Sequence, residues 1–148
     1  MGVQEAWIPA SSLKGNYLLR LFHSRVQPGR RHYRDHHHTA FEIAVFKAGT
    51  GLYTVGSRQY SIRPGDVFLF SSQEVHCITE IDPGDDMVLM NVHFEPRFIW
   101  SPGNELFDTK YLRIFLDRSE LFQNRLDRDH PVTSVVRQLL LQIEQEFA

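Results

Sequence analysis

Two histidines and a glutamate lie close together in the sequence, and a third histidine follows further along the chain. His36, His38 and Glu42 fall within residues 35–42, and His76 comes later. Three imidazole nitrogens and one carboxylate suit a borderline divalent ion such as zinc, iron, nickel or manganese. In an apolar pocket the same side chains also suit a small polar ligand such as a sugar. A vestigial hydrogen-bond network is the third interpretation, and the residues alone leave all three open.

The spacing of the first three candidates requires a bend in the chain. On a strand, His36 and His38 project to the same face, and Glu42 shares their parity. A straight strand would place Glu42 roughly 13 Å beyond His38, at about 3.3 Å per residue, which is too far for one ion. We therefore predict a bend between Thr39 and Phe41.

The elements that must position these residues are short strands as far as about Pro96. Pro-Gly pairs and single glycines interrupt the chain at short intervals, and glycine and proline at this density mark turns. The runs between them, rich in β-branched and aromatic residues, are 17–26, 41–47, 51–55, 59–62, 66–70, 76–81 and 87–94. Strands at this spacing predict a sandwich or a barrel.

The last third of the chain changes to a helical period. Apolar residues recur at helical spacing over 106–115, and Asp117 followed by Glu120 resembles a capping box that opens a second short helix. Pro131 suits the first turn of a further helix. Its apolar stripe comprises Val132, Val135, Val136, Leu139, Leu140, Ile143 and Phe147. Because this pattern reaches the last residues without a glycine stop, we expect the natural protein to continue.

Composition narrows the class of protein. The chain has 148 residues, 42% of them hydrophobic, and a net charge of −2, which suits one domain with a real core. A DNA-binding domain usually carries a basic stripe, so we expect this chain alone to bind nucleic acid weakly or not at all. Cys77 is the single cysteine, which excludes an internal disulfide and fits a reducing cytoplasm. No run approaches the roughly 18 apolar residues of a membrane span.

At the histidine and glutamate positions the sequence resembles the cupin superfamily. The first cupin motif has His-x-His, three or four residues, Glu, six residues and Gly. The matching residues are His36, His38, Glu42 and Gly49. In the second motif Gly65 and His76 match, and the residues that depart from it are Ser71, Gln73 and Glu80. The resemblance covers residues from about 28 to about 95.

Within the cupins, the chain is similar to the N-terminal sensing domain of AraC-type transcription regulators. Segments 38–49, 60–70 and 91–96 carry this resemblance, together with the apolar helices that follow. It implies a mainly β fold, a cupin (double-stranded β-helix, or jelly-roll) barrel followed by C-terminal α-helices. The implied division is an N-terminal arm at 1–16, a barrel at 17–100 and a helical extension at 101–148. That extension leads to a helix-turn-helix domain absent from this chain.

The family resemblance also implies a function and partners. These are cytoplasmic sensing of a small-molecule effector, a homodimer through the C-terminal helices, and DNA contact through the absent domain only. We therefore predict an effector-sensing and dimerisation domain without catalysis. The rival is a small metal-dependent cupin enzyme, such as a dioxygenase or an isomerase, which the full ligand quartet favours. A carbohydrate-binding or storage cupin is a third hypothesis.

Several other residues have two interpretations. Trp7 in the arm either closes over the pocket or packs outside the barrel. The stripe of the final helix is either a seam between subunits or a cover for the barrel. His23 and His93 are expected to be surface or internally satisfied histidines. Ala44, Phe46 and Ala48 share the parity of Glu42 and are expected to form the pocket floor and core.

Overall fold

The chain folds into two antiparallel β-sheets followed by a C-terminal helix. The computed structural model describes residues 6–9, 17–30, 40–99, 113–116 and 119–147. The strands are β1 (Ala6–Pro9), β2 (Tyr17–Val26), β3 (Gly29–Arg30), β4 (Phe41–Ala48), β5 (Gly51–Val55), β6 (Arg58–Ile62), β7 (Val67–Phe70), β8 (His76–Ile81) and β9 (Met87–Phe94). The helices are α1 (Pro96–Ile99), α2 (Arg113–Leu116) and α3 (Pro131–Glu146).

The strands form a five-stranded sheet and a four-stranded sheet. The larger sheet has the order β1-β2-β9-β4-β7 and the smaller one the order β3-β8-β5-β6. The predicted fold class, a mainly β barrel of the cupin type followed by C-terminal helices, is confirmed. Within the predicted arm, Ala6–Pro9 pairs with β2 and extends the larger sheet. The Trp7 side chain lies outside the described part of the structure.

The five-stranded sheet is buried on both faces. Its inner face packs against the smaller sheet, in a core of Ala44, Phe46, Tyr53, Val55, Tyr60, Ile62, Phe68, Phe70, Ile81, Met87 and Leu89. Its outer face carries a second core of Leu19, Leu21, Phe41, Val45, Val67, Leu69, Met90, Val92, Phe94, Phe115 and Leu140. Burial on both faces explains why all four residues of β7 are apolar and buried, since neither parity meets water. The prediction that Ala44 and Phe46 belong to the core is therefore confirmed.

The segment before α3 is irregular, not helical. From Ser119 to His130 the chain forms turns and one isolated bridge to β7, so the helix predicted from the Asp117–Glu120 capping box is wrong over its described residues. Leu69 N–H donates to the Asn124 carbonyl at 2.8 Å, and Leu126 N–H donates to the Val67 carbonyl at 2.9 Å. Pairing with the edge of β7 satisfies backbone groups that a helix would leave exposed, and this outweighs the local capping signal.

Helix α3 begins where the sequence predicts. Pro131 occupies its first turn, and the His130 ring accepts a hydrogen bond from Val132 N–H at the N-cap. Val136, Leu140 and Phe147 pack on the outer core. The other half of the apolar stripe is exposed: Val132 (55%), Val135 (52%), Leu139 (54%) and Ile143 (36%). Among the described residues, no helix has the length and apolarity needed to cross a bilayer.

The helix predicted over 106–115 is described only at its end. Helix α2 spans Arg113–Leu116, and residues 101–112 lie outside the described part of the chain. Phe115 stacks on Phe41 at 5.1 Å between ring centroids and meets the edge of Phe94 at 5.2 Å. Together with α3, this aromatic contact covers the outer face of the larger sheet.

Candidate functional site

Three titratable side chains meet on the inner face of the larger sheet, and we call them the inner polar cluster. They are Glu42, His76 and His93. The Glu42 Oε2 atom lies 2.9 Å from Nε2 of His76 and 3.4 Å from Nε2 of His93. Glu42 is 3% exposed and His76 is 2% exposed. Charges buried to this degree must have partners, and the three groups supply them to one another.

Strand register explains how the three residues meet. Glu42 on β4 lies directly opposite His93 on β9 and opposite Phe70 on β7. Side chains that face each other across an antiparallel pair lie within contact distance. His76 begins β8, which belongs to the smaller sheet. The Glu42 carboxylate therefore links the two sheets of the barrel.

The His76 ring is fixed at both nitrogens and on one face. Nδ1 lies 2.7 Å from the Glu74 carbonyl oxygen, and Nε2 faces the Glu42 carboxylate. The ring stacks on Phe70 with 3.9 Å between centroids and 7° between planes. A carbonyl oxygen only accepts, so Nδ1 must carry a proton, and a neutral imidazole has only one. The His76–Glu42 hydrogen bond therefore requires one further proton, on the imidazole or on the carboxyl group.

Aromatic and polar groups surround the cluster on the same face. Phe22 meets the His93 ring edge-to-face at 4.9 Å between centroids, and the Arg20 guanidinium lies 4.3 Å from the Phe22 centroid. Asn91 Nδ2 donates to the Ser24 hydroxyl at 3.1 Å. Apolar ring faces beside a few fixed donors and acceptors are typical of sites for small polar molecules.

The electrostatics of the cluster extend to Tyr53. Burial raises the pKa of the Tyr53 hydroxyl well above its usual range, and the nearby charges of Glu42 and Cys77 raise it further. Tyr53 therefore stays neutral at physiological pH. Its ring lies 5.9 Å from that of His76, between centroids, and adds a third aromatic wall beside the cluster.

A chain of hydrogen bonds leads from the cluster to the segment before α3. The carbonyl of Glu74 contacts the His76 ring, and its carboxylate accepts from Asn124 Nδ2 at 2.8 Å. Asn124 is 2% exposed, and its side-chain oxygen accepts from the Tyr60 hydroxyl at 3.2 Å. Its Nδ2 also donates to the Leu69 carbonyl at 3.0 Å. Asn124 thus ties the cluster to the C-terminal segment, a link that the sequence analysis missed.

The structure describes only part of the predicted ligand set. Glu42 and His76 are brought together, whereas His36 and His38 lie in residues 31–39, outside the described part of the chain. The predicted bend is confirmed at Ala40, immediately before β4. Among the described residues, no three histidine, cysteine, aspartate or glutamate side chains are arranged to hold a metal ion.

His93 is the member of the cluster that the sequence analysis did not select. We expected a surface or internally satisfied histidine, and the structure shows one satisfied by Glu42. The sequence did hold one indication that His93 is buried: it lies between two apolar residues, Val92 and Phe94, of a largely apolar strand. That His93 faces the interior follows only from the register of β9 with β4, which places it opposite Glu42.

Comparisons with known proteins identify the family to which the chain belongs. A family model described as the AraC-like ligand binding domain matches residues 20–148. The chain is similar to the HTH-type transcriptional activator RhaS of Escherichia coli O81 (strain ED1a), with 27% identity over 115 residues, 76% of this chain and 38% of RhaS. The chain thus spans less than two fifths of the length of this curated relative.

Solved structures with a similar fold include a cupin and an enzyme. A Cupin 2 conserved barrel domain protein from Salinispora arenicola has 14% identity and a TM-score of 0.47, over 65% of this chain and 78% of that one. The DMSP lyase DddQ from Ruegeria pomeroyi has 18% identity and a TM-score of 0.47, over 64% of this chain and 47% of the lyase. The family model covers most of the sequence, and the predicted family is confirmed: the chain belongs to the AraC-like ligand binding domain family.

Proposed function

We propose that the chain is the effector-sensing domain of an AraC-type transcription regulator, and that its effector is a small polar molecule such as a sugar. The observation that carries the proposal is the inner polar cluster, in which Glu42, His76 and His93 join the two sheets inside an apolar barrel. Buried polar groups of this kind orient a ligand and distinguish it from molecules that lack the matching hydroxyls.

The chemistry of the cluster suits a polyhydroxylated ligand. The Glu42 carboxylate accepts hydrogen bonds from hydroxyls, and the imidazoles of His76 and His93 supply a donor and an acceptor. The ring of Phe22, beside His93, offers an apolar surface to the C–H face of a sugar. Arg20 over Phe22 adds a cationic donor at the same wall.

Transmission from the effector to the rest of the protein is proposed to run through Asn124. A ligand that replaces the His76–Glu42 hydrogen bond changes the groups that hold Glu74 in place. Glu74 holds Asn124, and Asn124 lies in the segment that leads into α3. The effector therefore acts as a population shift between two arrangements of this segment.

The exposed stripe of α3 is proposed to pair with the same helix of a second copy of this chain. Val132, Val135, Leu139 and Ile143 are spaced three and four residues apart and are more than a third exposed. This spacing forms one continuous apolar seam on a helix, and a two-fold dimer presents the same seam from both subunits. DNA contact is proposed for a helix-turn-helix domain outside this chain, since this chain has a net charge of −2.

The metal and enzyme hypotheses remain alternatives to this proposal. Among the described residues, the Glu42 carboxylate is hydrogen-bonded to the His76 imidazole and lies 3.4 Å from that of His93, so no chemical step is assigned to a metal. Elemental mass spectrometry of the purified chain tests the predicted ligands. Near-stoichiometric metal that disappears in the His36→Ala, His38→Ala double variant would support the predicted metal site. It would also keep the hypothesis of a metal-dependent enzyme. If the purified protein contains no metal, the polar effector site is the only one of these hypotheses that remains.

Calorimetric titration with a panel of monosaccharides, sugar acids and polyols tests the effector site. We expect at least one ligand to bind the chain and to raise its unfolding free energy, by about 2.7 kcal/mol at a hundredfold excess over Kd. Glu42→Gln keeps the shape of the side chain and removes its charge, so we expect the affinity for that ligand to fall at least about tenfold.

The matched control is Glu144→Gln, which removes the carboxylate of a His–Glu pair on the outside of the barrel. It should leave the affinity for the ligand unchanged. If a ligand binds the folded Glu42→Gln variant as tightly as the unaltered chain, the effector site lies elsewhere and the proposal fails.

A further inference from the structure

A basic cleft shares no residue with the inner polar cluster. It has a volume of about 280 Å³ and is formed by the β6–β7 turn and the first turns of α3. Its charged and polar walls are Arg63, Asp66, Arg128, Thr133 and Arg137. None of these residues belongs to the effector site, and the cleft is concave and of the size of a small molecule.

One carboxylate in the cleft is already neutralised. Asp66 is 3% exposed, and both of its oxygens accept hydrogen bonds from Arg128 at 2.7 Å. The backbone N–H of Arg63 also donates to Asp66, at 2.8 Å. This two-pronged guanidinium–carboxylate pair is the strongest geometry available to these groups. Asp66 and Arg128 therefore hold each other in place in the cleft. The Asp66 carboxylate, being neutralised by Arg128, attracts other cations only weakly.

The other three arginines of this region, Arg63, Arg125 and Arg137, form no ion pair with a carboxylate of the described residues. Arg137 donates to the Gly65 carbonyl at 2.8 Å, and Arg125 donates to the carbonyl and hydroxyl oxygens of Ser61, both at 2.9 Å. Within the described part of the chain, no carboxylate forms an ion pair with either residue or with the exposed Arg63. Each guanidinium has five N–H donors, so Arg63 and Arg137 have donors to spare.

Excess positive charge is also evident at Arg125. Burial lowers the pKa of its guanidinium, and repulsion from Arg128 and Arg63 lowers it further, against the attraction of Asp66. The exposed Asp129 is a second negative charge near Arg128, and it does not pair with Arg63, Arg125 or Arg137. The positive end of the α3 dipole adds to the same field. An anion in the cleft would relieve this repulsion.

We propose that this cleft binds a small oxyanion, the phosphate group of a small molecule, between the guanidiniums of Arg63 and Arg137. Planar guanidiniums bind phosphate oxygens through paired N–H donors. The small volume of the cleft and the net charge of −2 favour a small phosphate over a nucleic-acid backbone, which needs an extended basic surface. A phosphate here joins the β6–β7 turn to α3 and stabilises the attachment of that helix.

Titration of the chain with inorganic phosphate tests the site, at constant ionic strength maintained with chloride. Binding is measured by calorimetry and by the Nε–H resonances of the arginines in ¹H–¹⁵N spectra. We expect saturable binding, and we expect Arg137→Gln and Arg63→Gln each to weaken it about tenfold, because each removes charge-assisted hydrogen bonds. Arg63 lies exposed in a turn, so its variant remains informative if Arg137→Gln unfolds.

The matched control is Arg25→Gln, which removes the same charge from a residue paired with Asp86 and should leave phosphate affinity unchanged. Glycerol phosphate should bind at least as well as inorganic phosphate if the occupant is a phosphate monoester. Equal weakening in all three variants would show general screening and overturn the site. Binding of a short DNA duplex without binding of either phosphate would assign the cleft to nucleic acid and would also overturn it.

Discussion

The two faces of the five-stranded sheet are built from the same strands but have different chemistry. On β4, Glu42 and Ala44 face inward while Val45 faces outward. On β9, His93 faces inward and Val92 outward. The inner face therefore holds the polar cluster and its aromatic walls. The outer face packs an apolar core against α2 and α3, and Glu144 of α3 also pairs there with His23 and Lys47. Neighbouring residues of one strand therefore point to opposite faces: one forms the proposed binding cluster, and the next holds the helices.

This separation predicts distinct consequences for the two faces. A change in the apolar core of the outer face removes packing and lowers the free energy of unfolding, because that core is built from apolar side chains. A change in the inner polar cluster alters hydrogen bonds that the proposed effector would also use, so we expect its main effect on effector binding. Substitutions on each face, ordered by the size of their expected effects, test the distinction.

The largest effect is expected from Leu140→Ala on the outer face. Leu140 is 5% exposed and packs α3 against the outer core. Removal of a buried leucine side chain leaves a cavity, and we expect a loss of about 2 to 5 kcal/mol in the free energy of unfolding. Urea denaturation followed by circular dichroism measures it. Affinity for an effector should change little while the protein is folded, and a large selective loss of affinity would contradict the separation of the faces.

Leu139→Ala is the matched control one residue away. Leu139 is 54% exposed and belongs to the stripe proposed as the dimer seam. At concentrations where the chain is monomeric, we expect its unfolding free energy to stay within about 0.5 kcal/mol of that of the unaltered chain. In sedimentation experiments it should weaken self-association. A variant that dimerises as well as the unaltered chain would rule out this seam.

The fold could be predicted from the sequence because its local signals agree. Pro-Gly turns bound most of the strands, and the bounds of β2, β5, β8 and β9 match the predicted runs. A turn depends on the few residues that form it, so turns can be predicted from the sequence alone. The helix predicted at Asp117–Glu120 failed for the opposite reason. A local capping signal there competes with the edge of β7, more than forty residues away in sequence, and the long-range pairing is stronger.

The site was only half predictable, because its geometry depends on strand register. Glu42 and His76 carry a recognisable spacing, and the structure brings them together. His93 joins them only because β9 pairs with β4 in a register that places it opposite Glu42, and no local pattern encodes that choice. Asn124 is a single polar residue in a loop, and its side-chain partners Tyr60 and Glu74 come from distant segments.

Asn124→Ala tests the connection between the inner face and α3. The substitution removes the side-chain acceptor of the Tyr60 hydroxyl and the amide donor to the Glu74 carboxylate, which costs about 1 to 3 kcal/mol in unfolding free energy. We also expect that effector binding will no longer change hydrogen-exchange protection in α3, although the effector still binds. The control is Gln123→Ala, an exposed neighbour. Protection that still responds to the effector in folded Asn124→Ala would exclude this route.

The smallest effect on the free energy of unfolding is expected in the last turn of α3. There Glu144 contacts His23 at 2.5 Å and also pairs with Lys47. Burial alone would raise the pKa of Glu144, but the hydrogen bonds from Lys47 and His23 outweigh burial and lower it below 4.5. A carboxyl with a lowered pKa stabilises the fold above its unfolded-state value, and the stabilisation is lost as pH falls through the folded-state value.

Glu144→Gln should therefore lower the unfolding free energy by about 1 kcal/mol or less at pH 7. The difference from the unaltered chain should shrink as the pH falls below about 4.5, because the unaltered carboxyl then also becomes neutral. Urea denaturation between pH 7 and pH 3 measures both values, with the exposed Glu146→Gln as the control. A difference that is equally large at both ends of this range would show that Glu144 holds α3 by packing rather than by charge.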